Sequence, residues 1–385
     1  MSLNFFKKDL DLTVFVALFV LIISCQPKEK VKRDIEQVTI AFEFESKYKT
    51  ESLFDLIEII PLPDEPLLGK VQKILFSKDR WYLLDQSAQN IKIYEKSGRY
   101  LSSFGTKGGG PGEYSYLSDI SIKGDTIFLV DEQSFRYFFF SLAGQYLGER
   151  QQEFYTDELD FLGSKEVAYS PSNITLADTR SVHDDMTLVI SSGDQVMSYF
   201  PYRDNHDDVG LPEMISIYKD SIYYLQPLAN QLHLLDAGVD HKSTFFLDFG
   251  NNNWPFSSEE IAEMATDEVE AIFRESEVLT VLHGLAFSNH HFFLTALKTK
   301  ARYIDEAGRE DFWTIVANPA TKKGLAINQI TTSWVGEETP FPLNRNQIGD
   351  SLVSVVYQED IISNRKDTLA STYLIVYKAK DDLDF

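Results

Sequence analysis

One cysteine in 385 residues leaves no pair from which an internal disulfide could form. The longest apolar run of the N-terminal region, Leu12 to Ile23, is broken only by Thr13 and is too short for a bilayer core, which takes roughly 20 apolar residues. Basic residues are scarce beside acidic ones, 36 against 59, for a formal charge of −23. Nucleic acid and anionic headgroups repel such a surface, so no nucleic-acid partner is expected. The chain has no Gly-x-Ser-x-Gly elbow, no His-Glu-x-x-His and no spare cysteine nucleophile, which removes the readily legible hydrolase classes. What it has in quantity is aromatic surface, 28 Phe and 19 Tyr, enough for a large core and weighted toward strands.

The N-terminus carries an address. Lys7 and Lys8 precede the apolar run, and Ile22-Ile23-Ser24-Cys25 follows it. This order suits a secretory signal peptide, and the last four residues resemble the lipobox of bacterial lipoproteins, whose Cys is acylated. Residues 1–24 are therefore read as a lipoprotein signal peptide, with Cys25 as the lipidation site and the membrane as a partner through that anchor. Residues 25–45 are read as a flexible tether, because 26–37 is rich in charge and poor in groups to bury. Residues 46–385 remain for the folded domain.

A repeat governs that domain. Tyr82-Leu83-Leu84-Asp85, Ile91-Lys92-Ile93-Tyr94 and Gly98-Arg99-Tyr100-Leu101 recur 46 residues later as Phe128-Leu129-Val130-Asp131, Tyr137-Phe138-Phe139-Phe140 and Gly144-Gln145-Tyr146-Leu147. Each unit reads as strand, Asp-led turn, strand, Gly turn, strand, and with an earlier strand it makes four. Four short strands at this spacing mark a propeller blade. Degenerate copies follow at Leu159 to Phe200, Ser221 to Gly238, Leu282 to Ala317 and Ser351 to Tyr377. The last lacks a strand, and the orphan run Leu53 to Pro61 supplies one. The expected fold is all-β, a six-bladed β-propeller with an N-terminal strand closing the last blade. Ser257 to Glu277 stands apart, with a capping Ser, early acidic residues and Ile261, Met264, Val269, Ile272 and Phe273 at helical spacing. It is read as one amphipathic helix inserted between the fourth and fifth blades.

Phe104-Gly105-Thr106-Lys107-Gly108-Gly109-Gly110-Pro111-Gly112-Glu113-Tyr114, with Ile59-Ile60-Pro61-Leu62, Gly69-Lys70-Val71 and Tyr373 to Lys378, resembles the six-bladed β-propeller lipoproteins of the Bacteroidetes, relatives of NHL-repeat propellers. The resemblance implies a fold and an envelope address, lipid-anchored to the outer membrane. Surface-displayed members carry an acidic cluster after the Cys, whereas this tether is basic there, which favours the periplasmic face.

Site residues are few. The glycine-rich loop lacks a P-loop ending, and its glycines serve the chain reversal between blades. Lys107, Glu113, Tyr114 and Tyr116 are its candidate ligand contacts. His183, Asp184, Asp185, His206, Asp207 and Asp208 form two His-Asp-Asp triplets with the donor types of a metal site, set against the solvated-turn reading. Of His290 and His291, one should point into the core. The inner strands read as mostly apolar, and no catalytic residue and no cofactor is assigned. The expected role is that of a binding or scaffold protein for a glycan, peptide or protein partner; a channel-sited hydrolase or lyase acting on glycan or peptide is the alternative.

Overall fold

The structure is a computed structural model that describes residues 35–170, 186–201, 214–226, 229–256, 260, 264, 266–299, 311–334, 339–341, 346–357 and 372–383. The described part of the chain opens with β1 (Glu36–Lys49), a helical turn α1 (Thr50–Leu53) and β2 (Phe54–Leu62). Then come β3–β6 (Val71–Ser77, Arg80–Asp85, Asn90–Glu95, Tyr100–Phe104), the short parallel pair β7 and β8 (Thr106–Lys107, Glu113–Tyr114), and β9–β12 (Leu117–Lys123, Thr126–Asp131, Arg136–Ser141, Tyr146–Gln151). Next are β13–β16 (Glu158–Leu162, Lys165–Tyr169, Met186–Ser192, Gln195–Pro201) and β17–β20 (Ile215–Tyr218, Ser221–Gln226, Gln231–Leu235, His241–Asp248). Helix α2 (Thr266–Glu275) precedes β21–β24 (Leu279–Ser288, His291–Lys298, Asp311–Asn318, Lys323–Thr332). The two-residue β25 (Thr339–Pro340) leads to β26–β28 (Asn346–Ile348, Ser351–Tyr357, Thr372–Ala379).

The fold is all-β and propeller-like. Four sheets have four strands each, β3–β6, β9–β12, β13–β16 and β26–β28 with β2, while β1 and β17 to β25 form a sheet of ten. β2 pairs antiparallel with β28 from Phe54 opposite Ala379 to Leu62 opposite Thr372, so the orphan run does complete the last sheet. Neighbouring sheets pack face to face: Tyr82, Leu84 and Ile91 of one meet Ile120, Leu129 and Phe138 of the next. Ile60 and Leu62 on β2, with Val353 and Leu374, bury against Ile74 and Leu83 of the first sheet, which joins the end of the chain to its beginning. The leading strands β3, β9, β13, β17, β21 and β26 neighbour one another in that cyclic order around an axis.

Three of the tight turns between first and second strands, at Lys78-Asp79, Lys219-Asp220 and Asn289-His290, hold both central residues at positive φ. That geometry matches the right-handed twist of the strands it joins, which offsets its cost for residues other than glycine.

Two expectations need correction. Residues 36–45, assigned to the tether, form most of β1. This strand runs parallel to β20 from Glu36 to Ala41 and parallel to β24 from Ala41 to Lys49. The reason lies in its period-two pattern: Val38 and Ile40 are buried, Phe42 packs on Phe249 at 4.8 Å and Phe44 meets Trp313 at 5.6 Å, while Thr39, Ala41, Glu43 and Glu45 face out. Alternation outweighs a charge-rich composition. The inserted helical segment does fall between β20 and β21, but not as one helix over 257–277: Met264 lies in a bend, the helix that follows runs Thr266–Glu275, and most of 257–265 lies outside the described residues.

A polar cavity on the axis as the candidate functional site

The leading strands enclose a cavity of about 350 Å³ lined by Lys73, Ile74 and Leu75 from β3, Glu158 and Asp160 from β13, Ile215 to Lys219 around β17, Leu285 from β21, and Asn346, Gln347, Gly349 and Asp350 around β26. The volume is at the small end of the range for small-molecule sites. These strands are mostly apolar in sequence, as expected, but the side chains they turn to the axis include charged ones, which find partners on the next strand of the ring.

Lys73 is the centre of one side. Its ammonium lies 2.8 Å from Asp119 of β9, and the side chains are 17% and 6% exposed. Burial alone would lower the lysine's pKa; the charges of Asp119, Glu158 and Asp160 outweigh that and hold it raised. Asp119 also accepts the backbone N–H of Leu159 at 2.9 Å, and Glu158 accepts those of Met214 and Ile215 at 2.8 and 3.2 Å. Asn346 accepts the N–H of Ile74 at 2.6 Å. Each of these acceptors satisfies an inner-edge N–H that sheet pairing leaves open. Asp160 differs, since its Oδ1 takes the N–H of Phe161 at 2.8 Å and the Ser121 hydroxyl at 3.4 Å.

The other side is latched. Gln347 Oε1 accepts the Ser216 hydroxyl at 2.8 Å and the Phe287 N–H at 2.8 Å. Asp350 accepts the Tyr218 hydroxyl at 2.7 Å and the Asn289 N–H at 2.8 Å, with Lys378 3.0 Å away. Burial would raise the Asp350 carboxyl, but those donors hold it below its usual value. Lys219 stands over the Tyr218 ring at 4.8 Å and beside exposed His290. His291 is the inward member of that pair, 2% exposed.

At the rim, the repeated aspartates explain the motif that carried the repeat. Asp85 accepts the N–H of Gly69 and of Ala88, both at 2.9 Å, and pairs with buried Lys92. Asp131 does the same for Ser115 and Tyr116, at 2.7 and 3.1 Å, and for Gln133 and Ser134. Each pins the segment that leads into its own sheet's first strand. Nearby, burial and then the hydrogen bond and charge of Glu132 push the Asp157 carboxyl up to about 8.

Lys107 is exposed, and Glu113 turns back so that its carboxylate accepts the N–H of Gly110 at 2.8 Å. Tyr114 is withdrawn from the set of ligand contacts: it is 1% exposed and donates to the Gln89 carbonyl at 2.5 Å, because the turn at Gly105, with φ of +87°, closes the loop over its ring. Tyr116 is half-buried, its hydroxyl 3.3 Å from the Gln86 amide. None of the four lines the cavity. Cys25, His183, Asp184, Asp185, His206, Asp207 and Asp208 lie outside the described residues. Among the described residues there is no cluster of three or more His, Cys, Asp or Glu able to hold a metal. No helix among them is long and apolar enough to cross a membrane.

Missed in the sequence were Lys73, Asp119, Glu158 and Asp160. A signal existed for the first two, since they break apolar strands at one repeat offset, 46 residues apart.

Together these features define a propeller-like protein with a polar cavity on its axis. Residues 35–380 match DUF4934, a domain of unknown function, and the chain belongs to that family. No curated protein matches the sequence. The structure is similar to that of a Bacteroides fragilis protein described as exported, with 16% identity, 89% of this chain and 99% of that one covered, and a TM-score of 0.65. It is also similar to a DUF4221 family member from Bacteroides vulgatus, with 12% identity, 85% and 98% covered, and a TM-score of 0.51. Identities this low carry the fold and nothing further.

Proposed function

We propose that the chain is a lipid-anchored envelope propeller of six blades that acts as a binding or scaffold protein, with its axial cavity as the ligand site. The blade count rests on resolving the ten-stranded sheet into two antiparallel meanders, β17–β20 and β21–β24, joined edge to edge by β1. With the four separate sheets these make six. The address rests on Lys7, Lys8, the apolar run and Cys25, and the exported description of the B. fragilis structure supports it. The anchor would place the domain at the outer membrane, on the periplasmic face, with a glycan, peptide or protein as partner.

One observation carries the binding reading over catalysis. Asp119 and Glu158, the most buried carboxylates of the axis, are committed to Lys73 and to backbone N–H groups of the next strand, so they hold the ring and are poorly placed to move protons. Two experiments test the proposal. Cys25→Ala should move the protein from the detergent-extracted membrane fraction to the soluble periplasm, and unchanged membrane association would refute the anchor. Ile217→Trp fills the cavity, so compounds that raise the melting temperature of the wild type in a screen of amines, saccharides and short peptides should lose that effect; retention would place binding elsewhere.

A further inference from the structure

Asp160 and Asn346 line the axial cavity from opposite sides, on β13 and β26, the third and sixth leading strands in their cyclic order. Asn346 is 6% exposed, and its Oδ1 accepts the Ile74 N–H at 2.6 Å, which orients the amide. Its Nδ2 makes no hydrogen bond among the described residues and is not sealed from the space that the residue lines. Asp160 uses Oδ1 for the Phe161 N–H and the Ser121 hydroxyl, and its Oδ2 makes no hydrogen bond among the described residues. A donor buried as deeply as the Asn346 amide has to be satisfied by whatever fills the cavity, because left unmet it costs its desolvation in full.

The charges around the cavity select no ion. Lys73 and Lys219 line it, and Lys378 stands 3.0 Å from Asp350; against these three cations, Glu158, Asp160 and Asp350 line it and Asp119 pairs with Lys73, which makes four carboxylates. All are engaged at short range. Lys73 sits in the field of Asp119, Glu158 and Asp160 together, Glu158 also accepts the N–H groups of Met214 and Ile215, and Lys219 lies over the Tyr218 ring at 4.8 Å and 3.2 Å from His290. A charged ligand would add a desolvated charge to a nearly balanced set.

What the cavity offers instead is an acceptor on one side, a donor on the other and apolar wall from Leu75, Ile217 and Leu285. An amide group holds its donor and acceptor side by side and cannot face both walls. A hydroxyl both donates and accepts, and a sugar ring points its hydroxyls outward in opposite directions while its two faces carry C–H groups. Resting on the reading of this cavity as a ligand site, we propose that it takes a neutral monosaccharide, with one hydroxyl donating to Asp160 Oδ2, another accepting from Asn346 Nδ2, and a C–H face on the apolar wall.

Titration calorimetry of the full-length protein in detergent tests this with glucose, galactose and mannose, with glucosamine and glucuronate as charged counterparts, and with putrescine and glycylglycine. At least one neutral hexose should bind wild type, and both charged sugars should bind about tenfold or more weakly than it. Asn346→Asp keeps the acceptor for Ile74 and replaces the donor, so it should weaken the hexose by about tenfold or more. Equal or tighter binding of a charged sugar, of putrescine or of glycylglycine would overturn the neutral-sugar assignment and leave the cavity as a ligand site, as would hexose binding undiminished in folded N346D. Failure of all seven compounds to bind would overturn the cavity reading itself. The wild-type comparison needs no variant, so the test stands even if N346D does not fold.

Discussion

Lys73 and Asp119 occupy the same position of two successive repeats, 46 residues apart, and their side chains meet at 2.8 Å between the first strands of two neighbouring sheets. Gln72 and Ser118 repeat the relationship one residue earlier, amide to carbonyl at 2.5 Å. A repeat that simply copied itself would place like residues side by side on the axis. Opposite charges at equivalent positions turn the seam between two sheets into a bond.

Lys73→Met should therefore be severe. It leaves Asp119 as a carboxylate 6% exposed with no cation beside it, a situation that typically costs about 3–5 kcal/mol. Lys73→Met with Asp119→Asn should recover most of the loss, because the amide carries no charge and still accepts from Leu159. Urea unfolding of the three proteins measures this, and additive losses in the double variant would refute the coupling.

The strand β1 gives a second prediction, on truncation. Removing residues 26–35 should leave the melting temperature unchanged. Extending the deletion through Lys49 removes buried Val38 and Ile40 and uncovers the edges of β20 and β24. Two fully buried aliphatic side chains alone are worth roughly 3–6 kcal/mol, so the longer deletion should unfold or aggregate the protein. Equal stability of the two truncations would show that β1 is dispensable.

How much of this the sequence revealed follows from the range of each interaction. The repeat was legible because Asp85 and Asp131 act within their own units, each carboxylate accepting several backbone N–H groups of its own turn and of a segment about 16 residues away. The closing strand β2 was legible because an apolar run with no partner nearby has to find one. β1 was missed although Val38, Ile40, Phe42 and Phe44 alternate, since the charges of the preceding segment masked the period. The cavity was missed for a different reason: its wall is assembled from partners as distant as Ile74 and Asn346, 272 residues apart, and no local pattern marks Glu158 or Asp160 as axial. Tyr114 shows the converse error, a loop aromatic read as exposed when the glycines around it let the loop fold over it.

That loop yields a third prediction. Tyr114→Phe removes the donor to the Gln89 carbonyl, which should cost about 1–2 kcal/mol, whereas Lys107→Ala, at an exposed position, should change stability by under about 0.5 kcal/mol. Thermal melts compare them. A loss on Lys107→Ala equal to that on Tyr114→Phe would give the lysine a structural role in the loop.

The last prediction concerns pH. Asp157 in the folded chain is pushed from 3.8 to about 8, first by burial and then by the hydrogen bond and charge of Glu132, with Asp119 adding to both. A carboxyl whose folded pKa is raised binds its proton more tightly in the native state. Its contribution to stability is complete below about pH 4 and is lost as the pH rises through about 8. Above that range the folded protein must hold Asp157 ionised against Glu132 in a partly buried site. Asp157→Asn keeps the shape and the capacity to donate a hydrogen bond to Glu132, and it carries no charge at any pH. Melting temperatures followed from acid to mildly alkaline buffer should fall for wild type toward pH 8 and fall less for the variant, so the two curves diverge as the pH rises. Parallel curves would mean that the proton is shared elsewhere, and a variant less stable than wild type at alkaline pH would mean that the ionised pair is held by a partner strong enough to reverse the sign.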